Sequence, residues 1–164
     1  LSYNLSDCTT LITGTFGKAF GSGGAFIACN SKIGEYLIQT SGAFRYTTAL
    51  SPSLAAGALK ALQKIKNNKE WGNDLFNSAQ KWKTEIRINF NYPVRGDSHI
   101  LSIIVGREAK AMHLQKYLEE KGFLAIAIRP PTVPDGESRI RITIRKNLDS
   151  NILKNFISVL KDFK

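Results

Sequence analysis

The chain has 164 residues, with 23 Lys and Arg against 13 Asp and Glu, for a formal charge of +10. Its 43% hydrophobic and 22% charged residues are those of a globular protein and exclude disorder, a collagen-like repeat and a coiled-coil rod. The length suits one domain or two small ones, large enough to bury a core without a metal or disulfide staple.

In chain order, the polar stretch Leu1–Thr10 lacks a basic n-region and does not read as a signal peptide. Leu11–Phe16 and Ala25–Cys29 predict two short buried strands around a loop, Gly17–Gly24. Ser31–Ile38 predicts a helix capped by Ser31. Ser51–Ile65 predicts a second, with Pro52 in its first turn and Leu54, Leu59, Leu62 and Ile65 at nearly helical spacing. Trp71–Ile88 continues as an amphipathic helix carrying Leu75, Ala79, Trp82 and Ile86 on one side.

Beyond Tyr92-Pro93 the texture changes. Ile100–Val105 and Leu124–Arg129 predict strands, and Ala109–Lys121 a helix closed by Gly122. Pro130–Glu137 reads as a loop. Arg139–Ile144 alternates Arg and Thr with Ile, as a half-buried strand does. Leu148–Phe163 predicts a final helix with Asp149 and Ser150 near its start. The division expected is 1–89, the end of something larger, and 90–164, a small α/β sandwich with helices on one face.

No apolar run approaches the ~20 residues of a membrane span. Cys8 and Cys29 form neither a disulfide framework nor a CxxC site, which fits a reducing cytosol. The basic residues are spread along the chain without a tight run or interleaved aromatics. They read as a solvated surface, and no nucleic-acid or membrane partner is expected. His99 and His113 have no motif around them, and no metal site is expected.

The stretch Thr13–Gly24 places one lysine, Lys18, in a loop of small residues between two strands. Glycines let a backbone approach a ligand closely, and a desolvated lysine loses proton affinity and can bond an aldehyde. A P-loop would need GxxxxGK[ST], which Gly14–Ala19 lacks. From chemistry alone, a plain lysine in a flexible loop remains open.

Four blocks in order, Gly14–Gly24, Phe44–Pro52, Ile128–Pro134 and Ser138–Thr143, resemble the α-oxoamine synthases, fold-type-I enzymes dependent on pyridoxal 5'-phosphate (PLP). The resemblance spans essentially the whole chain. It implies an α/β fold comprising the end of a large-domain sheet and a small C-terminal α/β domain. It also implies that Lys18 binds PLP covalently and later removes a proton, and that Thr15 contacts the cofactor. Thr47 and Thr48 would reach the phosphate of a neighbouring subunit in a homodimer. Thr132 would touch substrate, and Arg141 would grip the amino-acid carboxylate. Without the family, Thr15 reads as a β-branched strand end, Thr47 and Thr48 as turn chemistry, and Thr132 as a loop residue. Arg139 and Arg145 share the parity of Arg141, so pattern alone does not single it out.

Arg129–Pro134 resembles the branch that joins L-alanine to a pimeloyl thioester, on CoA or acyl carrier protein, with loss of carbon dioxide. The 5-aminolevulinate synthase and glycine acetyltransferase branches carry other residues there and are the alternatives. Arg129 itself would approach the acyl substrate. Where related sequences usually carry proline, this chain has Ser102. In the family the lysine loop lies well past the middle of the chain, whereas Lys18 here follows 17 residues. The histidine that stacks on the PLP ring and the aspartate that pairs with its nitrogen have no counterpart by motif. Asp7 is the one acid before the loop. A C-terminal portion inactive alone, with a separate N-terminal portion as its partner, is therefore expected. The second hypothesis is a non-catalytic binding module that reuses the fold.

Overall fold

The computed structural model describes residues 11–163, so the stretch holding Asp7 and Cys8 lies outside the described residues. The chain divides into two compact units, 1–69 and 70–164.

The first unit begins with an antiparallel hairpin of β1 (Leu11–Thr15) and β2 (Ala25–Cys29), with Leu11 opposite Cys29 and Thr15 opposite Ala25. Helices α1 (Ser31–Thr40), α2 (Gly42–Arg45) and α3 (Pro52–Asn67) follow. Asn30, rather than Ser31, caps α1, its side chain accepting from the Ile33 N–H at 3.0 Å. The strands are not buried as expected: Leu11, Ile12, Phe26 and Ile27 are all exposed. Among the described residues Leu50 and the α3 residues near it approach the hairpin, beside Phe16 and Phe26, and Ala58 is the one described hydrophobic residue of this unit that is buried.

Gly14 is required by close packing rather than by a turn. It faces Phe26 across the hairpin, and a Cβ there would lie 2.4 Å from the ring. Phe26 in turn approaches Phe16 at 5.5 Å, and Phe16 meets Phe20 at 5.1 Å.

The second unit is a four-stranded antiparallel sheet ordered β3-β4-β6-β5. Its strands are β3 (Val94–Arg95), β4 (Ile100–Gly106), β5 (Ile126–Ile128) and β6 (Ser138–Thr143). Helices α4 (Trp71–Asn89), α5 (Glu108–Glu120) and α6 (Ser150–Asp162) share its core. Period two explains the sheet: Leu101, Ile103 and Val105 of β4 and Ile140 and Ile142 of β6 join Trp82, Leu114 and Phe156 in one apolar cluster. The alternate residues, Ser102, Arg139, Arg141 and Thr143, lie on the opposite, open face. Gly122 closes α5 at φ +85°, where the Phe123 N–H reaches the Leu118 carbonyl at 2.8 Å.

Helix α4 buries Ala79, Trp82 and Ile86 in this cluster, the Trp82 ring 5.4 Å from Phe156. The second compact unit takes in α4 from Glu70 onward, because the apolar stripe of that helix is satisfied by α6 and the sheet.

Lys83 donates to Asp97 Oδ1 at 2.7 Å, linking α4 to the β3–β4 turn. This hydrogen bond, with the lysine's charge, holds the Asp97 carboxyl below its ordinary range. A depressed carboxylate contributes stability above its unfolded pKa of about 3.9 and loses it as pH falls through the lower folded value. Asp97→Asn is therefore expected to lower the urea midpoint slightly near neutrality and to match the parent in strong acid. An equal deficit at both pH values would refute the pairing.

Candidate functional site

The lysine loop is a hairpin tip. The Phe16 N–H donates to the Gly24 carbonyl at 2.9 Å and the Ser22 N–H to the Phe16 carbonyl at 2.9 Å, which closes the loop at its base. Inside it the Gly21 N–H reaches the Lys18 carbonyl at 2.9 Å, and Gly21 takes φ +57°. Lys18 thus stands at the first corner of a tight turn whose fourth residue needs left-handed backbone. Ser22 Oγ donates to the Leu54 carbonyl at 2.5 Å, tying the loop to the first turn of α3.

Lys18 is exposed, contrary to the expected desolvation: the residues flanking it are small, and nothing described within the unit covers it. Thr15 ends β1 and is exposed. Thr47 and Thr48 are exposed in the segment between α2 and α3. None of these four side chains makes a hydrogen bond or ion pair among the described residues. Thr15 and Lys18 are brought together on one hairpin, and Thr47 and Thr48 lie elsewhere in the same unit.

In the second unit, Thr132 is exposed in the loop before β6, its N–H donating to the Arg129 carbonyl at 3.0 Å. The Pro130–Pro131 bond is cis. Arg129, expected to approach substrate, is paired with Glu108 at 2.5 Å. Arg141 is exposed on the open face of β6, opposite Ser102 of β4 and Ile126 of β5.

The structure separates the three arginines that parity left equivalent. Arg139 donates to Glu137 Oε2 at 2.8 Å, and Arg95 of β3 reaches the same oxygen at 3.1 Å. Arg141 has no ion pair or hydrogen bond among the described residues. Arg145 lies past the end of β6, in a cleft with Trp71, Lys146 and Asn147. Arg141 is therefore the strand's one uncommitted guanidinium, a planar donor set suited to a carboxylate. Sequence reasoning missed Glu137, whose signal was a carboxylate immediately before an Arg-alternating strand.

A family model described as aminotransferase class I and II matches residues 2–160. The chain belongs to the aminotransferase class I and II family. Aminotransferase class I and II proteins are PLP-dependent enzymes. The chain is 34% identical over 157 residues to the 8-amino-7-oxononanoate synthase of Saccharophagus degradans, covering 95% of this chain and 39% of that protein. The 8-amino-7-oxononanoate synthase of Francisella tularensis superposes with a TM-score of 0.81 at 24% identity, covering 96% of this chain and 46% of that one. A serine palmitoyltransferase from Sphingomonas wittichii gives 0.87 at 22% identity, covering 96% of this chain and 40% of that one. The mixed α/β architecture is accordingly that of the fold-type-I enzymes, as the motif resemblance implied. The chain spans 35–41% of the length of the curated relatives it matches.

Proposed function

We propose that this chain is the lysine-bearing part of an 8-amino-7-oxononanoate synthase, which condenses L-alanine with a pimeloyl thioester in biotin synthesis. The thioester would be carried on CoA or acyl carrier protein, and the enzyme would act in the cytoplasm as a homodimer. The observation that carries this reading is the 34% identity, along 95% of the chain, to a protein of that name. In this reading 1–89 is the end of the large cofactor domain with its connecting helices, and 90–164 is the small domain.

The donor set fits PLP. Lys18 offers a primary amine with no internal partner, and three threonine hydroxyls are likewise uncommitted. Lys18 would hold the cofactor's aldehyde carbon, and Thr15 would donate to its phosphate together with Thr47 and Thr48 of a second subunit. Bound there, PLP supplies an electron sink beside the amino acid's α-carbon. Lys18 Nζ, freed when the amino acid's amine takes its place on the aldehyde carbon, would take the proton removed from the α-carbon. Arg141 holds the amino-acid carboxylate through two parallel N–H donors, and Thr132 contacts the substrate from its loop.

The isolated chain carries only part of this chemistry. Glu35 is the sole carboxylate among the described residues of the first unit, and it is exposed on α1. In this reading the carboxylate that would pair with a protonated ring nitrogen comes from a further portion of polypeptide.

The test is to add stoichiometric PLP to the pure chain, reduce with borohydride, digest, and map the modified lysine by mass spectrometry. Selective labelling of Lys18 is the expected result, and labelling concentrated on another lysine would overturn the assignment; diffuse labelling, or none, would mean that attachment needs the further portion. The PLP-loaded chain, taken before reduction and given L-alanine and pimeloyl-CoA, is expected to release thiol at background rate; sustained release would refute its dependence on a further portion.

A further inference from the structure

The open face of the second unit's sheet carries a row that crosses all four strands: Arg95, Ser102, Arg141 and Ile126, each opposite the next in register. Directly opposite residues of an antiparallel pair hold their Cβ atoms about 4.5–5.5 Å apart on the same face. Ser102 and Arg141 are such a pair. Ser102 is half-buried, and its hydroxyl has no partner among the described residues. Along β4 its neighbours on the same face are Ile100 and Ile104, the latter 9% exposed, so the hydroxyl is the polar group of an otherwise apolar strip. Across β6 from it, Ile126 is 55% exposed and flanks Arg141 with aliphatic surface.

We propose that Ser102 is a second binding residue of the carboxylate position built on Arg141. Its O–H donates to one oxygen of a small monocarboxylate whose two oxygens face the Arg141 guanidinium. The aliphatic surfaces of Ile100 and Ile126 meet the ligand's apolar substituent. This assignment rests on the reading of Arg141 as the carboxylate arginine and deepens it. Arg95 and Arg139 both donate to Glu137, which leaves Arg141 as the guanidinium of this face that a ligand reaches without displacing an internal bond.

The ¹⁵N-labelled chain is titrated with propionate and with L-alanine, and amide shifts at Ser102, Arg141 and Ile126 are followed, with methylammonium as the carboxylate-free control. Saturable shifts confined to this row are expected, with none from methylammonium. A hydrogen bond to a charged group carries enough free energy that Ser102→Ala should weaken binding about tenfold and Arg141→Ala about a hundredfold. Ser102→Thr, which keeps the hydroxyl on a strand residue, should restore it. Unchanged affinity in Ser102→Ala alongside a loss in Arg141→Ala overturns the role of Ser102 and leaves Arg141 in place. Unchanged affinity in Arg141→Ala, or no saturable shift in the parent, overturns both. Should Ser102→Ala not fold, Ser102→Cys weakens the donor at nearly constant size and is read the same way.

Discussion

Lys18→Ala is expected to abolish borohydride-stable attachment of PLP at the hairpin loop while leaving folding stability within about 0.5 kcal/mol of the parent. The two halves of that statement have separate physical causes. Lys18 is exposed and makes no hydrogen bond or ion pair among the described residues, so its loss removes no packing and orphans no partner. Its neighbours, by contrast, are committed: the turn depends on Gly21 at φ +57°, and the loop base on two backbone bonds of 2.9 Å. The structure thus presents the amine and keeps it out of its own internal bonding. Lys18→Arg should fail equally, because a guanidinium does not condense with an aldehyde under the same conditions. Mass spectrometry of reduced digests, with urea midpoints on the same samples, decides it. Retained attachment in the alanine variant would place the cofactor lysine elsewhere.

Phe156→Ala should carry the largest stability cost in the second unit. The ring is 2% exposed, 5.4 Å from Trp82 of α4 and 5.2 Å from Phe123 in the connection after α5. It therefore ties α6 to α4 and to that connection at once. Truncating a buried phenylalanine costs about 3–5 kcal/mol, because the transfer energy is lost and the cavity is only partly refilled. Urea unfolding followed by tryptophan fluorescence, which Trp82 reports directly, measures this. A cost below about 1 kcal/mol would mean that the ring's surroundings collapse onto it and that the cluster is not close-packed.

The elements legible in the sequence were those whose periodicity is long. Leu54, Leu59, Leu62 and Ile65 marked α3, and Leu75, Ala79, Trp82 and Ile86 marked α4, each to within about a turn. The alternation Arg139–Ile144 marked β6 and its two faces. Short elements escaped. Val94–Arg95 is too brief to alternate visibly, and Gly42–Arg45 is a single helical turn. Leu124 was read into a strand, yet it is 88% exposed and outside the ladder, which begins at Ile126. Apolar content marked β1 and β2 as strands but could not say what covers them, and the described residues leave them open.

The site followed the same logic. Lys18 and its glycines were readable because their chemistry is local to one loop. Arg141 was named by resemblance but could not be told from Arg139 by pattern, since the distinction lies in which guanidinium Glu137 engages. That is a contact between side chains, invisible to spacing. Ser102 was visible only as a departure from an expected proline; its pairing with Arg141 is a matter of cross-strand register.

Glu137 also sets the valence of that open face. One carboxylate accepts from Arg95 and Arg139 together, at 3.1 and 2.8 Å, and leaves Arg141 as the guanidinium with no internal partner among the described residues. Three guanidiniums against one carboxylate leave the face net positive, and Arg141 is the one whose donors an incoming anion would not have to share with Glu137. Glu137→Gln would raise that positive charge and loosen Arg95 and Arg139 as well, so the anion affinity of the proposed position would depend on a residue that need never touch the ligand.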